Sequence, residues 1–166
     1  MDLDPLDMNS LEILGMSYYF AGQGAEARRT FEKVRVFSPN FEGLSGNAGF
    51  SYVVDGQPAA ARRECEPHPD DTARACLAAA ENALGHDERA RAVLADLIEK
   101  HPRRAGYFIA KAYGFSGNSA LALEWLNRAF SAQAKFLSDV KSEPAFRALH
   151  GDPRYLALLR EMNLPE

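Results

Sequence analysis

Apolar residues along this chain come in runs with helical spacing, parted by joints rich in Gly, Pro, Asn and Asp. In the run 11–37, LEILGMSYYFAGQGAEARRTFEKVRVF, they recur every three or four positions, the period of a helix face rather than of a strand. Gly22 divides that run in two, as a glycine past a helix end does. The pattern predicts eight antiparallel helices, at approximately 9–21, 24–37, 41–55, 58–66, 71–84, 87–100, 104–116 and 118–131. In the tail, a short helix opens at Pro144 and a final one runs from Asp152 and Pro153 to about Met162. Asp152 suits the N-cap and Pro153 the first helical position. Phe146, Leu149, Tyr155, Leu158, Leu159 and Met162 give this tail apolar contacts with which to cover what precedes it.

The helices fall into a repeat. Gly15, Tyr18, Gly22 and Ala27 reappear 34 positions later as Gly49, Tyr52, Gly56 and Ala61. Each residue type has a packing reason. Gly15 and Gly49 allow the first helix of a hairpin to approach its partner closely, and Ala27 and Ala61 are small where the axes meet. Phe31 fills the gap one turn later. Pro39, with Asn40 as an N-cap, parts the first unit from the second. Two more worn units follow, one carrying Leu77, Gly85, Ala90, Leu94 and Pro102, the other Ala110, Tyr113, Gly117, Ala122, Leu126 and Ala129. From Ala61 to Ala90 the spacing is 29, and from Ala90 to Ala122 it is 32. The loss of five residues after Ala61 is roughly one and a half helical turns, so the second helix of the second unit is predicted to be stunted.

In its first unit the chain resembles the tetratricopeptide repeat, whose pattern runs Leu-Gly-x-x-Tyr, then Ala-x-x-x-Phe, then Pro. Leu14, Gly15, Tyr18, Ala27, Phe31 and Pro39 stand at the matching positions. The resemblance implies an all-α superhelix of about four helix-turn-helix repeats, approximately 8–41, 42–70, 71–102 and 103–134. C-terminal capping helices over 135–166 would close it, as a solenoid requires. It implies, too, a concave groove lined by the first helix of each repeat, which receives a peptide, a helix or a partner domain. Carried over by position, the groove takes Asn9, Ile13, Met16, Tyr19 and Phe20 from the first repeat and Asn47 and Phe50 from the second. It takes Asn82 from the third, and Arg104, Tyr107, Phe108, Lys111 and Phe115 from the fourth. Asn47 and Asn82 can hydrogen-bond a peptide backbone, and Arg104 and Lys111 can meet an acidic end. The ring of Lys, Asn and Arg that grips C-terminal carboxylates in related arrays is missing, since Glu12 and Met16 stand in two of its places. Three occupants are open: another protein, a second copy in a homodimer, or the chain's own tail or N-terminal segment. The phrase EPAFRALHGDPRYLALLREMNLP resembles the segment that ends such arrays in many bacterial multidomain regulators, which implies a regulatory or docking module of a larger protein.

Composition then narrows the chemistry. Of 166 residues 46% are hydrophobic, enough to bury a core and too many for a disordered chain. The net charge of −4 comes without a Lys/Arg block, so no nucleic-acid partner is expected. No apolar run approaches the roughly 18 residues that span a bilayer, so no membrane partner is expected either. The opening MDLDPLDMNS lacks the basic and apolar regions of a signal peptide. With two cysteines this points to a reducing cytoplasm, unless the chain is part of a longer protein whose remainder decides. Glycine-loop, GxSxG and HExxH motifs are missing, and no catalysis, cofactor or metal is expected. His68, His86, His101 and His150 all fall at turns or helix ends. The stretch CEPHPDDTARAC, residues 65–76, fits no zinc template. It reads as an irregular joint, with Pro67 and Pro69 stopping one helix, Asp70 or Asp71 capping the next, and Cys65 and Cys76 as small buried thiols. A disulfide needs Cα atoms within about 7 Å, which cysteines flanking a turn can approach, but a reducing compartment opposes it.

Overall fold

The computed structural model describes residues 7–165; residues 1–6, read above as free of a leader, and residue 166, the last of the predicted cap, lie outside them. The described residues form nine α-helices and two 3-10 turns, with no strand. Eight of the helices pair as hairpins: α1 (Asp7–Phe20) with α2 (Gly24–Phe37), and α3 (Leu44–Val54) with α4 (Pro58–Cys65). Then come α5 (Asp71–Ala83) with α6 (Asp87–Lys100), and α7 (Gly106–Phe115) with α8 (Ser119–Ser131). This is the all-α helical-repeat superhelix that the sequence predicts.

The same turn joins every hairpin. Gly22, Gly56, Gly85 and Gly117 have φ of +77°, +68°, +79° and +75°, the left-handed region that a side chain resists. Each donates its N–H three residues back, and the following residue donates five back, at 2.8–3.0 Å. This pair of bonds closes the helix end and starts the return helix within two residues. One turn into each return helix lies a fully or nearly fully buried alanine: Ala27, Ala61, Ala90 and Ala122. Close packing fixes the pairs further. A Cβ on Gly15 would lie 2.5 Å from the Phe31 ring, so only glycine fits there. At the centre, α5 packs against α3, α4, α6 and α7 and buries Ala73, Ala75 and Ala78 to Ala80, small side chains that let four neighbours close in.

Two expectations shift. The third helix begins at Leu44 rather than 41, because Gly43, at φ +83°, is its N-cap in place of Asn40. The second shift concerns Cys65 and Cys76. The helix α4 is indeed stunted, 8 residues against 14 in α2 and α6, and Asp70 caps α5 by accepting from the Ala73 N–H at 3.0 Å. The cysteines, however, are not separate thiols. They form a disulfide, with Cα atoms 6.3 Å apart and both side chains fully buried. Gly49 makes the room: a Cβ there would collide with both sulfurs. The bond ties the end of the short helix to α5, and it removes cysteine usage as an argument for a reducing compartment.

After α8 the chain turns back across the array. Short 3-10 turns at Leu137–Asp139 and Pro144–Leu149 lead to α9 (Pro153–Glu161), capped by Asp152, which accepts from the Arg154 N–H at 2.8 Å. Phe146, Leu149, Tyr155, Leu158 and Leu159 are buried, and the Tyr155 hydroxyl donates to the Val140 carbonyl at 3.0 Å. Burial, and then the Glu143 carboxylate, push that phenol up to about 12.

Candidate functional site

The chain's own tail fills one half of the concave face. Ala145 lies against Gly114 near the end of α7, a contact that any side chain on Gly114 would block. Arg147 Nη2 donates to the Phe20 carbonyl, at the end of α1, at 3.4 Å. Between these contacts Glu143 enters the core with no exposed surface. Its carboxylate accepts from Lys111 Nζ at 3.0 Å, Tyr107 Oη at 3.2 Å, the Ala145 N–H at 3.3 Å and Tyr19 Oη. Lys111, 2% exposed, sits 4.1 Å above the Phe50 ring and 4.9 Å above Tyr19. One acidic side chain of the tail thereby ties the first repeat to the fourth. Burial, followed by the adjacent Glu143 carboxylate, holds the Tyr19 and Tyr107 phenols well above their ordinary range, so both remain donors.

The other half is open, as a cavity of about 770 Å³. It lies along α1 and the N-terminal ends of α3, α5 and α7. One wall is Ile13, Met16 and Phe20 of α1, spaced to share a helix face; Tyr107 and Phe108 of α7 form another. Asn47 and Thr72 lie between, and residues 132–136 with Asp139 make a lip. The volume falls within the range of roughly 300–1,000 Å³ typical of ligand clefts. At the α5 end of the cavity, Asp71 accepts from His101 Nδ1 at 2.6 Å and Arg104 Nε at 2.7 Å. Burial pushes the Asp71 carboxyl up, but the bonds from Arg104 and His101 outweigh it and hold the group below its usual range. The pairing pins the joint between α6 and α7 to the start of α5.

Of the residues placed in the groove by sequence, Ile13, Met16, Phe20, Asn47, Arg104, Tyr107, Phe108 and Lys111 line this cavity. Asn9 is exposed on α1 outside it. Tyr19 and Phe50 are 1% and 0% exposed and belong to the core beneath the tail, where Phe115 stacks on Phe50 with centroids 5.5 Å apart. Asn82, near the far end of α5, donates to Asp87 at 3.3 Å. The acidic groups expected of a partner at Arg104 and Lys111 are supplied from within, by Asp71 and Glu143. The lip at 132–139 is the part that repeat register missed, because the register places groove residues only on the first helix of each repeat, up to Phe115, and assigns 135–166 to a cap. The lone aromatic Phe136 in the polar stretch SAQAKFLSD is the one signal there.

Two sequence models of the tetratricopeptide repeat match the chain, one over residues 9–33 and the other over residues 77–103. No curated protein matches it. The matched segments fall on the first and third hairpins, and the second and fourth share their glycine turn and buried alanine. The first and third hairpins are therefore similar to the tetratricopeptide repeat, and the described residues form an all-α, tetratricopeptide-like helical superhelix.

Proposed function

We propose that the chain is a non-catalytic interaction module that receives a peptide or helix of a partner protein in the open half of its concave face. The observation behind this reading is the cavity itself: an apolar and aromatic trough with Ile13 66% and Phe136 49% exposed, two of the five large apolar side chains that stand exposed among the described residues. Exposed apolar patches with polar rims are where proteins dock. The walls stand on packed helices, so little ordering cost attends binding. The setting we propose is regulatory, because residues 143–165 resemble the segment closing such arrays in bacterial multidomain regulators.

The test is selection of displayed random peptides on the wild-type chain and on Ile13→Asp. Ile13 is 66% exposed, so the change disturbs no core. Peptides held by the wild type and lost by the variant support the reading; equal retention by both refutes it. A second reading, self-association, is favoured by Leu14, Val36 and Phe37, which are 43%, 75% and 57% exposed outside the cavity. Light scattering that shows a dimer, dispersed by Phe37→Glu, would support it; a monomer at every concentration would remove it.

A further inference from the structure

The open trough carries charge that the fold does not neutralise, and the least solvated part of it is negative. Four carboxylates line it: Glu12, Glu42, Asp71 and Asp139. Asp71 is taken up by His101 and Arg104. Glu12 has no ion-pair partner among the described residues, and Asp139 has only the Ser138 hydroxyl, at 3.2 Å, as a side-chain donor. Both are partly buried, and burial pushes both carboxyls up; at Asp139 the nearby Glu143 carboxylate adds to it, against the Ser138 hydrogen bond and Lys111. Of the lining cations, Arg104 and Lys111 are spent on Asp71 and Glu143. Arg103 and Lys135 stand exposed, where water already solvates them. A half-desolvated carboxylate gains more from an incoming cation than a hydrated ammonium gains from an anion.

The placement matters as much as the sign. Glu12 adjoins Ile13 on the α1 wall, and Asp139 follows Phe136 on the lip, so two separate elements of the lining each set an acid beside an apolar side chain. Phe136 adds an independent sign of use. Its φ is +68°, a conformation that a bulky side chain adopts only when its surroundings impose it, and such strain concentrates at ligand clamps. The ring is held near Phe108 and Tyr107, with centroids 5.6 and 6.1 Å away, yet half of it faces solvent. An aromatic wall beside unpaired carboxylates suits an apolar anchor and a cation together.

We infer that the groove selects a peptide segment in which an aromatic or large aliphatic anchor is flanked, within a few residues, by Lys or Arg. The anchor seats between the α1 wall and Phe108 and Phe136, and the cation meets Glu12 or Asp139. This inference rests on the reading of the trough as a peptide site. The test takes the displayed random-peptide selection and adds Glu12→Gln with Asp139→Asn, checked for wild-type circular dichroism. The best enriched peptide is then synthesised with Lys or Arg at its flank and again with Glu there, and both are titrated by fluorescence anisotropy. The basic peptide is expected to bind about tenfold tighter, roughly 1.4 kcal/mol, with a ratio near one on the Glu12→Gln, Asp139→Asn protein. Equal or tighter binding of the acidic peptide, still lost with Ile13→Asp, would overturn this inference and leave the groove standing. The absence of any enrichment, or retention of every peptide by Ile13→Asp, would overturn both.

Discussion

Replacing Lys111 with Met deletes the ammonium that faces Glu143 and keeps most of the stem. The carboxylate, with no exposed surface, retains two phenol hydroxyls and one N–H but loses the cation at 3.0 Å. Removing one partner of a buried pair costs about 3–5 kcal/mol, because the remaining charge stays out of water without compensation. The three remaining donors place the expectation near the lower figure, about 3 kcal/mol. That is a large share of the ~5–15 kcal/mol by which domains are stable. At about 2–4 °C per kcal/mol for this chain length, Tm should fall by about 6–12 °C. Adding Glu143→Gln to Lys111→Met leaves a neutral amide among the same donors and should recover at least half of the loss. Urea unfolding followed by circular dichroism on the two single variants and the double variant measures the coupling. Limited proteolysis at 132–143 should quicken in Lys111→Met, since Glu143 is the point at which the tail is tied to α1 and α7. A loss under about 1 kcal/mol in Lys111→Met, or a double variant as damaged as the sum of the singles, would refute the buried pair as the lock of the tail.

Three further outcomes are expected. Gln133 occupies the left-handed position after α8, φ +51°, in the turn that glycine fills in every hairpin; Gln133→Gly should raise stability by up to about 1 kcal/mol, and a lower Tm would show that the conformation is not left-handed. The Cys65–Cys76 bond spans 11 residues, so reducing it should cost about 3 kcal/mol by the loop-closure relation; alkylation of unfolded, unreduced protein should find no free thiol, and two labelled cysteines would overturn the bond. Asp71 has its folded value lowered, so the stability it contributes is present above its unfolded value, about 3.9, and is lost as pH falls through the folded value. The stability gap between wild type and Asp71→Asn should therefore narrow as pH drops below about 4, and a gap constant with pH would contradict the Asp71–Arg104–His101 pairing.

The hairpins were legible because their determinants are local. A glycine that must take positive φ, an alanine where two axes meet, and a proline or aspartate at a helix start each act within a few residues. Their offsets of 34, 29 and 32, from Gly22 through Gly56 and Gly85 to Gly117, survive the loss of most other repeat residues. The stunted α4 followed from those offsets alone. The groove walls contributed by α1 and α7 were legible for the same reason, since repeat register gives the face on which Ile13, Met16, Tyr107 and Phe108 lie.

What lies between distant elements was not legible. Glu143 is one acid among 23 in the chain, and nothing around it announces that it will meet Tyr19, 124 positions away, and Lys111. That contact decides which half of the concave face is filled, turns Tyr19 and Phe50 from groove candidates into core, and pairs Lys111, which still lines the cavity, with an internal acid. The disulfide is similar: the sequence places Cys65 and Cys76 on two helices, but only the packing of α3, with Gly49 offering no side chain, lets the sulfurs meet. By itself, then, the sequence determined the repeat, its helices, their turns and one shortened unit, because propensity and capping operate at short range. The tertiary structure alone decided the path of the tail, the covalent tie and the shape of the open trough, because these arise from complementarity between surfaces far apart in the chain.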